Sequence, residues 1–299
     1  MVQYREYSGQ EDYSIVDAML NFTKQNNIAV RGHNIFWDDP QYQPWWVKSL
    51  SKKDLAKAVQ RRINSIVIRY SRHLIAWDVS ILGKDFSNNA YKTAHQLDPK
   101  TPLFLNEYNT IEESGDGASG PSKYLKKLRK IKSSAQGSLP MGIGLQSHFR
   151  VPNLPYIRAT LDTLASAKVP IWLTEVDVLP NPNHANYLEQ ILREGYSHLA
   201  VKGIVMKRCT RVLPDVLTNE NFKNLPTGDV VDKLLHEWGK RGFMRETDDD
   251  GFLEISLSHG DYEVTIDHPN LLNSSLLKSF KVVPAESSEH QATLTIQAS

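Results

Sequence analysis

Short apolar segments alternate with helical patterns along most of this chain, and this alternation limits the folds that the chain can adopt. Six segments rich in β-branched and aromatic residues end at Trp37, Val79, Tyr108, Phe149, Val178 and Met206. Near-continuous apolar runs of this kind are typical of parallel strands covered on both faces. Helical patterns precede, separate and follow them, over residues 12–26, 51–70, 85–97, 121–134, 154–168, 184–198 and 228–239. This order predicts a parallel sheet with right-handed crossovers.

Two parallel architectures fit this order, an open doubly wound sheet and a (β/α)8 barrel. The predicted strands carry polar residues towards their C-terminal ends, namely His33, Asp78, Asn106, Gln146, His148, Glu175 and Asp177. Barrel enzymes place their functional side chains at that end of the strands, so the barrel is the preferred interpretation. A complete barrel has eight strands and the series begins with a helix. We therefore expect an incomplete barrel of about six strands, with the first β-α-β unit absent ahead of residue 1.

The pattern changes near residue 242, where alternating apolar and polar residues begin. The segments GFLEISL, GDYEVTI, SFKVVP and QATLTIQ are separated by turn signals such as Asp249-Asp250-Gly251, as in antiparallel strands. We expect two domains, a barrel over residues 1–241 and a small all-β module over residues 242–299.

Charge and composition exclude several classes of function. The 35 Lys and Arg residues nearly balance the 34 Asp and Glu residues, so the net charge of +1 gives no field to attract nucleic acid or an anionic membrane. No apolar run approaches the roughly 18 residues of a membrane span, and the first residues lack the apolar core of a signal peptide. The single cysteine, Cys209, excludes an intrachain disulfide framework and a Cys-rich zinc site.

Glu175 is the leading candidate for chemistry. It lies near the end of the buried segment PIWLTEVDV, where a carboxylate is costly unless it is paired, and such positions are enriched in catalytic groups. A structural ion pair with a neighbouring strand is the alternative. His148 ends the preceding strand and could hydrogen-bond Glu175 or be purely structural. His33 and Trp37 could face a sugar at the barrel mouth, or Trp37 could belong to the core.

Motifs for metal, nucleotide and serine-hydrolase chemistry do not occur, and Gly142 and Gly144 fit close strand packing better than a dinucleotide fingerprint. What remains is carboxylate chemistry with aromatic side chains nearby, which points to glycoside hydrolysis. We expect no cofactor and no metal.

Five segments carry a resemblance to a known family: VRGHNIFWDDPQYQPWWV, YKTAHQLDPKTPLFLNEYNTIE, GIGLQSHF, PIWLTEVDV and NLPTGDVVDKLLHEW. Together they resemble the plant branch of glycoside hydrolase family 10, the retaining endo-1,4-β-xylanases, over roughly residues 10–268. The resemblance implies a (β/α)8 barrel that hydrolyses internal β-1,4 bonds of xylan without a cofactor. It also implies secretion to the cell wall and a monomeric protein whose partner is xylan, with no nucleic acid and no membrane.

The resemblance assigns roles to single positions. Glu175 matches the family's nucleophile, His148 the histidine that hydrogen-bonds it, and Asp177 the carboxylate that supports this histidine. The remaining matches imply contacts with the sugar or the cleft, at His33, Trp37, Asn106, Tyr108 and Gln146.

The chain also departs from the family pattern. The family's fourth strand reads WDVxNE, whose Glu is the acid/base, whereas Trp77-Asp78-Val79 continues here with Ser80-Ile81-Leu82. No acid/base residue is found, and Asp85 and Glu107 are the nearest substitutes. The eighth strand normally continues GIVMW, but Met206 is followed here by Lys207. We therefore expect a xylanase of impaired activity, with a non-catalytic xylan-binding pseudoenzyme as the alternative.

Overall fold

A computed structural model of the chain describes residues 3–4, 11–37, 41, 43–79, 83–134, 139–207, 217–239, 244–255, 257, 260–267, 276–282, 293 and 295. The chain divides into two compact units, Met1–Val230 and Val231–Ser299. The predicted domain boundary near residue 242 stays a prediction.

Strands and helices alternate through the first unit. The strands are β1 (Gln3–Tyr4), β2 (Glu11–Asp12), β3 (Arg31–Gly32), β4 (Ala76–Val79), β5 (Leu103–Glu107), β6 (Met141–Leu145), β7 (His148–Phe149), β8 (Ile171–Val178) and β9 (Val201–Met206). The helices are α1 (Ser14–Gln25), α2 (Lys52–Tyr70), α3 (Gly83–Leu97), α4 (Pro121–Ser134), α5 (Leu154–Ala165), α6 (His184–Ser197) and α7 (Pro226–Trp238), with a 3-10 helix at Trp45–Ser49. α7 continues into the second unit. All seven predicted helices are present, with ends shifted by a few residues.

The main sheet is parallel, and its strands neighbour one another in chain order. β3, β4, β5, β6, β8 and β9 pair successively, and the two-residue β7 pairs with the far end of β8. β6 and β7 together form the fourth predicted strand, which is interrupted at Ser147, where φ is +72°. Over the described residues the sheet is an incomplete (β/α)8 barrel, as the sequence predicts. The first predicted strand is much shorter than expected, because only Arg31 and Gly32 pair with β4.

Glycines in the sheet allow large side chains to pack on its backbone. A Cβ atom at Gly142 would lie 2.3 Å from the ring of Phe104, and one at Gly203 would lie 2.4 Å from the indole of Trp172. Neither contact is sterically possible, so these positions require glycine for close packing. This confirms the packing interpretation of the glycine-rich segment and disagrees with a dinucleotide loop.

Side-chain caps fix the start of two helices that flank the sheet. The Oγ of Ser51 accepts the N–H of Asp54 at 3.2 Å at the start of α2. The Oδ1 of Asn153 accepts the N–H of Tyr156 at 3.2 Å at the start of α5. Among the helices that the structure describes, none combines the length and apolar character needed to cross a membrane.

The second unit contains an antiparallel pair, β10 (Gly260–Ile266) and β11 (Leu276–Val282). Tyr262 pairs with Phe280 in the register, and their rings stack with centroids 5.6 Å apart. The predicted turn before this pair is present, because Asp248 accepts the N–H of Gly251 at 3.0 Å and Gly251 has φ +80°. The predicted strand GFLEISL is not formed over residues 251–255, and QATLTIQ lies outside the described residues except for 293 and 295.

Candidate active site

The C-terminal ends of the parallel strands bring five of the predicted site residues together. Glu175 and Asp177 lie on β8, His148 begins β7, Asn106 lies on β5, and His33 follows β3 directly. Because parallel strands present their C-terminal ends at one edge of a sheet, residues distant in the sequence meet there.

Glu175 forms the centre of this cluster and is largely buried. Its Oε1 accepts a hydrogen bond from Nδ2 of Asn106 at 3.1 Å, and its Oε2 accepts one from Nζ of Lys207 at 2.9 Å. The amide of Asn106 is itself held, because its Oδ1 accepts the hydroxyl of Thr174 at 2.6 Å. The carboxylate is therefore fixed through both oxygen atoms.

His148 and Asp177 form the second contact of the cluster. They are directly paired in the register between β7 and β8, and Nδ1 of His148 lies 2.9 Å from Oδ1 of Asp177. Nε2 of the same imidazole lies 3.7 Å from Oε2 of Glu175, which is an ion-pair distance longer than a hydrogen bond. This arrangement agrees with the predicted neighbourhood of the three residues.

His33 contacts Asp78 through one ring nitrogen and faces Glu175 with the other. Its Nδ1 lies 3.3 Å from Oδ2 of Asp78, and its Nε2 lies 3.9 Å from Oε1 of Glu175. Asp78 is buried and also accepts a hydrogen bond from the guanidinium of Arg31. The guanidinium carbon of Arg31 lies 4.3 Å from the ring centroid of Phe104 and 4.5 Å from that of Trp172.

These contacts shift the protonation of the cluster. Burial raises the pKa of Glu175, but the imidazole of His148, the charge of His33 and the ammonium of Lys207 outweigh it and lower the pKa to about 2. Burial lowers the pKa of His148, but Asp177 and Glu175 outweigh it and raise the pKa to about 9. The pKa of His33 is also raised, because Asp78 and Glu175 outweigh its burial. Near neutral pH the cluster therefore holds an ionised Glu175 beside a protonated His148.

Other predicted residues lie outside this network of contacts. The side chains of Trp37 and Tyr108 are exposed, by 40% and 54%. Gln146 donates its backbone N–H to the carbonyl of Glu107 at 3.0 Å, and its side chain is half-buried. Of the two substitute acids, Glu107 is buried and accepts a hydrogen bond from Nζ of Lys127 at 2.6 Å. Asp85 lies in the first turn of α3, and its side chain is outside the described part of the chain.

Two residues of the site were missed from the sequence. Lys207 stands in the sequence only as a departure from the family pattern, and its contact with Glu175 depends on the pairing of β8 with β9. Glu112 accepts the backbone N–H groups of Ser147 and His148 at 2.6 and 3.1 Å, at the interruption before β7.

Across the described residues, no group of three or more His, Cys, Asp or Glu side chains is arranged to hold a metal ion. The arrangement instead offers one fixed, ionised carboxylate beside a protonated imidazole, at the strand ends of an incomplete barrel. These features define a (β/α)8-barrel protein with a carboxylate centre. An ionised carboxylate at the C-terminal end of a barrel strand can act as a nucleophile.

The comparison with protein families gives a more specific result. The model of glycosyl hydrolase family 10 matches residues 1–81 and 79–221. The chain belongs to this family, as the sequence motifs predict.

Two plant relatives agree with this membership. The chain is 41% identical over 313 residues to endo-1,4-beta-xylanase 5-like of Arabidopsis thaliana, with 97% of this chain and 55% of the relative covered. Endo-1,4-beta-xylanase 5 of the same plant is 42% identical over 297 residues, with 92% and 52% covered. The chain thus spans about half the length of these relatives.

The fold resembles those of bacterial xylanases. The structure of xylanase 10B from Thermotoga petrophila RKU-1 in complex with xylobiose matches with a TM-score of 0.65 at 20% identity, covering 78% of this chain and 81% of that one. Native xylanase 10B from Thermotoga maritima matches with a TM-score of 0.64 at 20% identity, covering 78% and 82%. At this identity the likeness supports the barrel fold alone.

Proposed function

We propose that the chain is a retaining glycoside hydrolase of the endo-1,4-β-xylanase type that acts on internal β-1,4 bonds of xylan, with impaired activity. The observation that carries this proposal is Glu175, an ionised and doubly hydrogen-bonded carboxylate at the end of a barrel strand. Membership of glycosyl hydrolase family 10 and the names of the plant relatives support the substrate class.

Glu175 is the nucleophile in this proposal. One of its oxygens attacks the anomeric carbon, the bond to the leaving sugar oxygen breaks as that oxygen takes a proton from solvent, and a glycosyl ester forms that water then hydrolyses. Its low pKa keeps the carboxylate ionised over the whole range in which a cell-wall enzyme works. His148 and Asp177 are positioning residues, because their ion pair holds the imidazole beside Oε2.

The substrate would be held by side chains at the strand ends and in the loops after them. His33 and Asn106 already lie beside Glu175 and can donate hydrogen bonds to sugar hydroxyls. Trp37, Tyr108 and Gln146 are the further candidates, and the two exposed aromatic rings offer apolar faces for a pyranose.

Activity is impaired in this proposal because the chain lacks the acid that protonates the leaving group. A retaining glycosidase needs a second carboxyl group about 5 to 5.5 Å from the nucleophile, and the sequence after Val79 lacks the Asn-Glu pair that supplies it in the family. Of the two substitute acids, Glu107 already donates no proton to the cleft side in this arrangement, since its Oε2 accepts a hydrogen bond from Nζ of Lys127 at 2.6 Å. Loss of general acid catalysis costs about 10²- to 10⁴-fold in rate.

Release of reducing sugar from xylan by the purified chain tests the proposal. We expect slow release of oligosaccharides that is abolished in Glu175→Gln, because the amide cannot form the ester. Glu113→Gln is the matched control, since Glu113 is exposed and lies outside the cluster. Release that persists in Glu175→Gln contradicts the assignment of the nucleophile.

A xylan-binding pseudoenzyme is the second candidate, and the same experiment separates it. The absent Asn-Glu pair favours it, because binding needs no leaving-group acid. Retention of the chain on insoluble xylan without any release of sugar would support binding alone.

We also propose that the chain acts in the cell wall as a monomer, with residues 242–299 as a separate β-module. Cell fractionation tests the location, light scattering of the purified chain tests the monomeric state, and limited proteolysis near residue 242 tests the separate module.

A further inference from the structure

Lys207 is placed against Glu175 by the pairing of two strands. Val176 is paired with Met206 in the register between β8 and β9, and the N–H of Lys207 donates to the carbonyl of Val176 at 3.0 Å. The residue directly after β9 therefore lies beside the C-terminal half of β8. Its Nζ donates to Oε2 of Glu175 at 2.9 Å and lies 3.5 Å from Nε2 of His148.

We propose that Lys207 is an internal counter-ion that restrains the nucleophile Glu175 and slows the formation of the glycosyl ester. This proposal rests on the proposed function, because it assumes that Glu175 attacks a sugar. In this proposal two features lower the rate of ester formation: the contact of Lys207 with the carboxylate and the lack of the leaving-group acid.

The physical reason is the change of charge during the reaction. The free carboxylate is negative, but its oxygen becomes part of a neutral ester when it bonds to the anomeric carbon. A hydrogen bond from an ammonium therefore stabilises the free carboxylate more than the transition state, in which the negative charge has partly moved to the leaving group. A single charged hydrogen bond of this kind is worth roughly 10- to 100-fold in rate.

The position of Lys207 excludes the role of leaving-group acid. Its Nζ is 2.9 Å from Oε2 of the nucleophilic carboxylate, whereas the acid of a retaining enzyme lies about 5 to 5.5 Å from the nucleophile, across the scissile bond. The side chain of Lys207 is 39% exposed and that of Glu175 is 12% exposed, so solvent partly screens the pair. The contact restrains the nucleophile without blocking it.

A sugar with a leaving group that needs no acid isolates this step. In 2,4-dinitrophenyl 2-deoxy-2-fluoro-β-xylobioside, the bond from Glu175 to the anomeric carbon forms as dinitrophenolate departs as an anion. No proton donor is required, and the fluorine slows hydrolysis of the ester. The intact mass of the protein then reports each ester formed, and the absorbance of dinitrophenolate gives its rate.

We expect Lys207→Met to form the ester about 10- to 100-fold faster than the unchanged chain. Lys207→Gln, which keeps a donor without the charge, should give an intermediate gain and covers the case in which the Met variant does not fold. Lys207→Arg keeps the charge and should remain slow. The matched control is Lys202→Met on β9, because Lys202 is exposed and its variant should behave as the unchanged chain.

The pH profile of ester formation distinguishes electrostatic restraint from a structural effect. Removing the ammonium takes away one of the groups that lower the pKa of Glu175, so the acid limb of the profile should move to higher pH in Lys207→Met. Equal rates in Lys207→Met and the unchanged chain, with esters formed in both, overturn the role of Lys207 and leave Glu175 as the nucleophile. Absence of ester in every variant overturns the proposed function and this inference with it.

Discussion

The carboxylate of Glu112 holds the backbone of His148, with Oε1 accepting the N–H of Ser147 at 2.6 Å and that of His148 at 3.1 Å. Its Oε2 accepts the N–H of Ile111 at 2.9 Å. Ser147 is the residue with φ +72° that interrupts the strand. The buried side chain of Glu112 thus accepts the backbone N–H groups that are left unpaired where the strand is interrupted. It thereby fixes the backbone from which the imidazole of His148 projects.

We predict that Glu112→Ala lowers the free energy of unfolding by about 3 kcal/mol. Alanine leaves three backbone N–H groups without their acceptor, and a buried unsatisfied donor costs about 1 to 3 kcal/mol, reduced where water enters. Urea denaturation measures the change. Glu113→Ala is the control, because the neighbouring Glu113 is exposed. Equal stabilities of the two variants would contradict the role of Glu112.

A second prediction concerns the pKa of His148. Asp177→Asn removes the negative partner at Nδ1, so the pKa of His148 should fall from about 9 toward its ordinary value of 6.5. Titration of the imidazole signals by NMR measures it. Asp162→Asn is the matched control, since Asp162 pairs with Nε2 of His198 at 3.1 Å and its loss should leave His148 unchanged.

The shifted pKa values of His148 and Glu175 predict how the stability of the fold depends on pH. The pKa of His148 is raised in the folded state, so its contribution is fully present below pH 6.5 and is lost as the pH rises through about 9. The pKa of Glu175 is lowered, so its contribution is present above pH 4.5 and is lost as the pH falls through about 2. The two contributions are together complete between about pH 4.5 and 6.5.

His148→Gln tests the basic side of this profile. The difference in unfolding free energy between the unchanged chain and the variant should shrink by on the order of 2 kcal/mol between pH 6 and pH 9.5, after allowance for the partial exposure of the imidazole. His236→Gln, at an exposed position, should show no such dependence. A difference that stays constant with pH would mean that His148 does not gain its charge from folding.

Sequence patterns predicted the elements of the barrel because its strands are buried on both faces and its helices carry clear apolar periodicity. The first strand was overestimated, since the apolar residues Ile35 and Phe36 are buried beyond the two residues that pair. Burial and strand pairing produce the same apolar signal, so composition alone cannot separate them.

The site was predictable only in part, for a different reason. Glu175, His148 and Asp177 stand in strand motifs whose spacing fixes their faces, and the structure brings them together. Lys207 and Glu112 act from a strand end and a loop, where the sequence gives no periodicity to indicate direction. Their contacts depend on pairings between distant segments, which become visible only in the folded chain.

The last prediction concerns the ion pair of Arg31 with Asp78, which also contacts His33. The guanidinium of Arg31 lies against the rings of Phe104 and Trp172 and donates to Asp78. Arg31→Met should lower the free energy of unfolding by about 3 to 5 kcal/mol, because Asp78 would remain buried without its main partner. Arg31→Met combined with Asp78→Asn should recover part of this loss, since the stranded charge is then removed.

Guanidinium denaturation of the single and double variants measures these values, with Arg129→Met as the control at an exposed helical position. Because Asp78 also contacts Nδ1 of His33 at 3.3 Å, an unpaired Asp78 should draw the proton of His33 more strongly. The NMR titration of His33 should therefore move to higher pH in Arg31→Met and return in the double variant. A double variant as unstable as the single one would show that Arg31 acts through ring packing and not through Asp78.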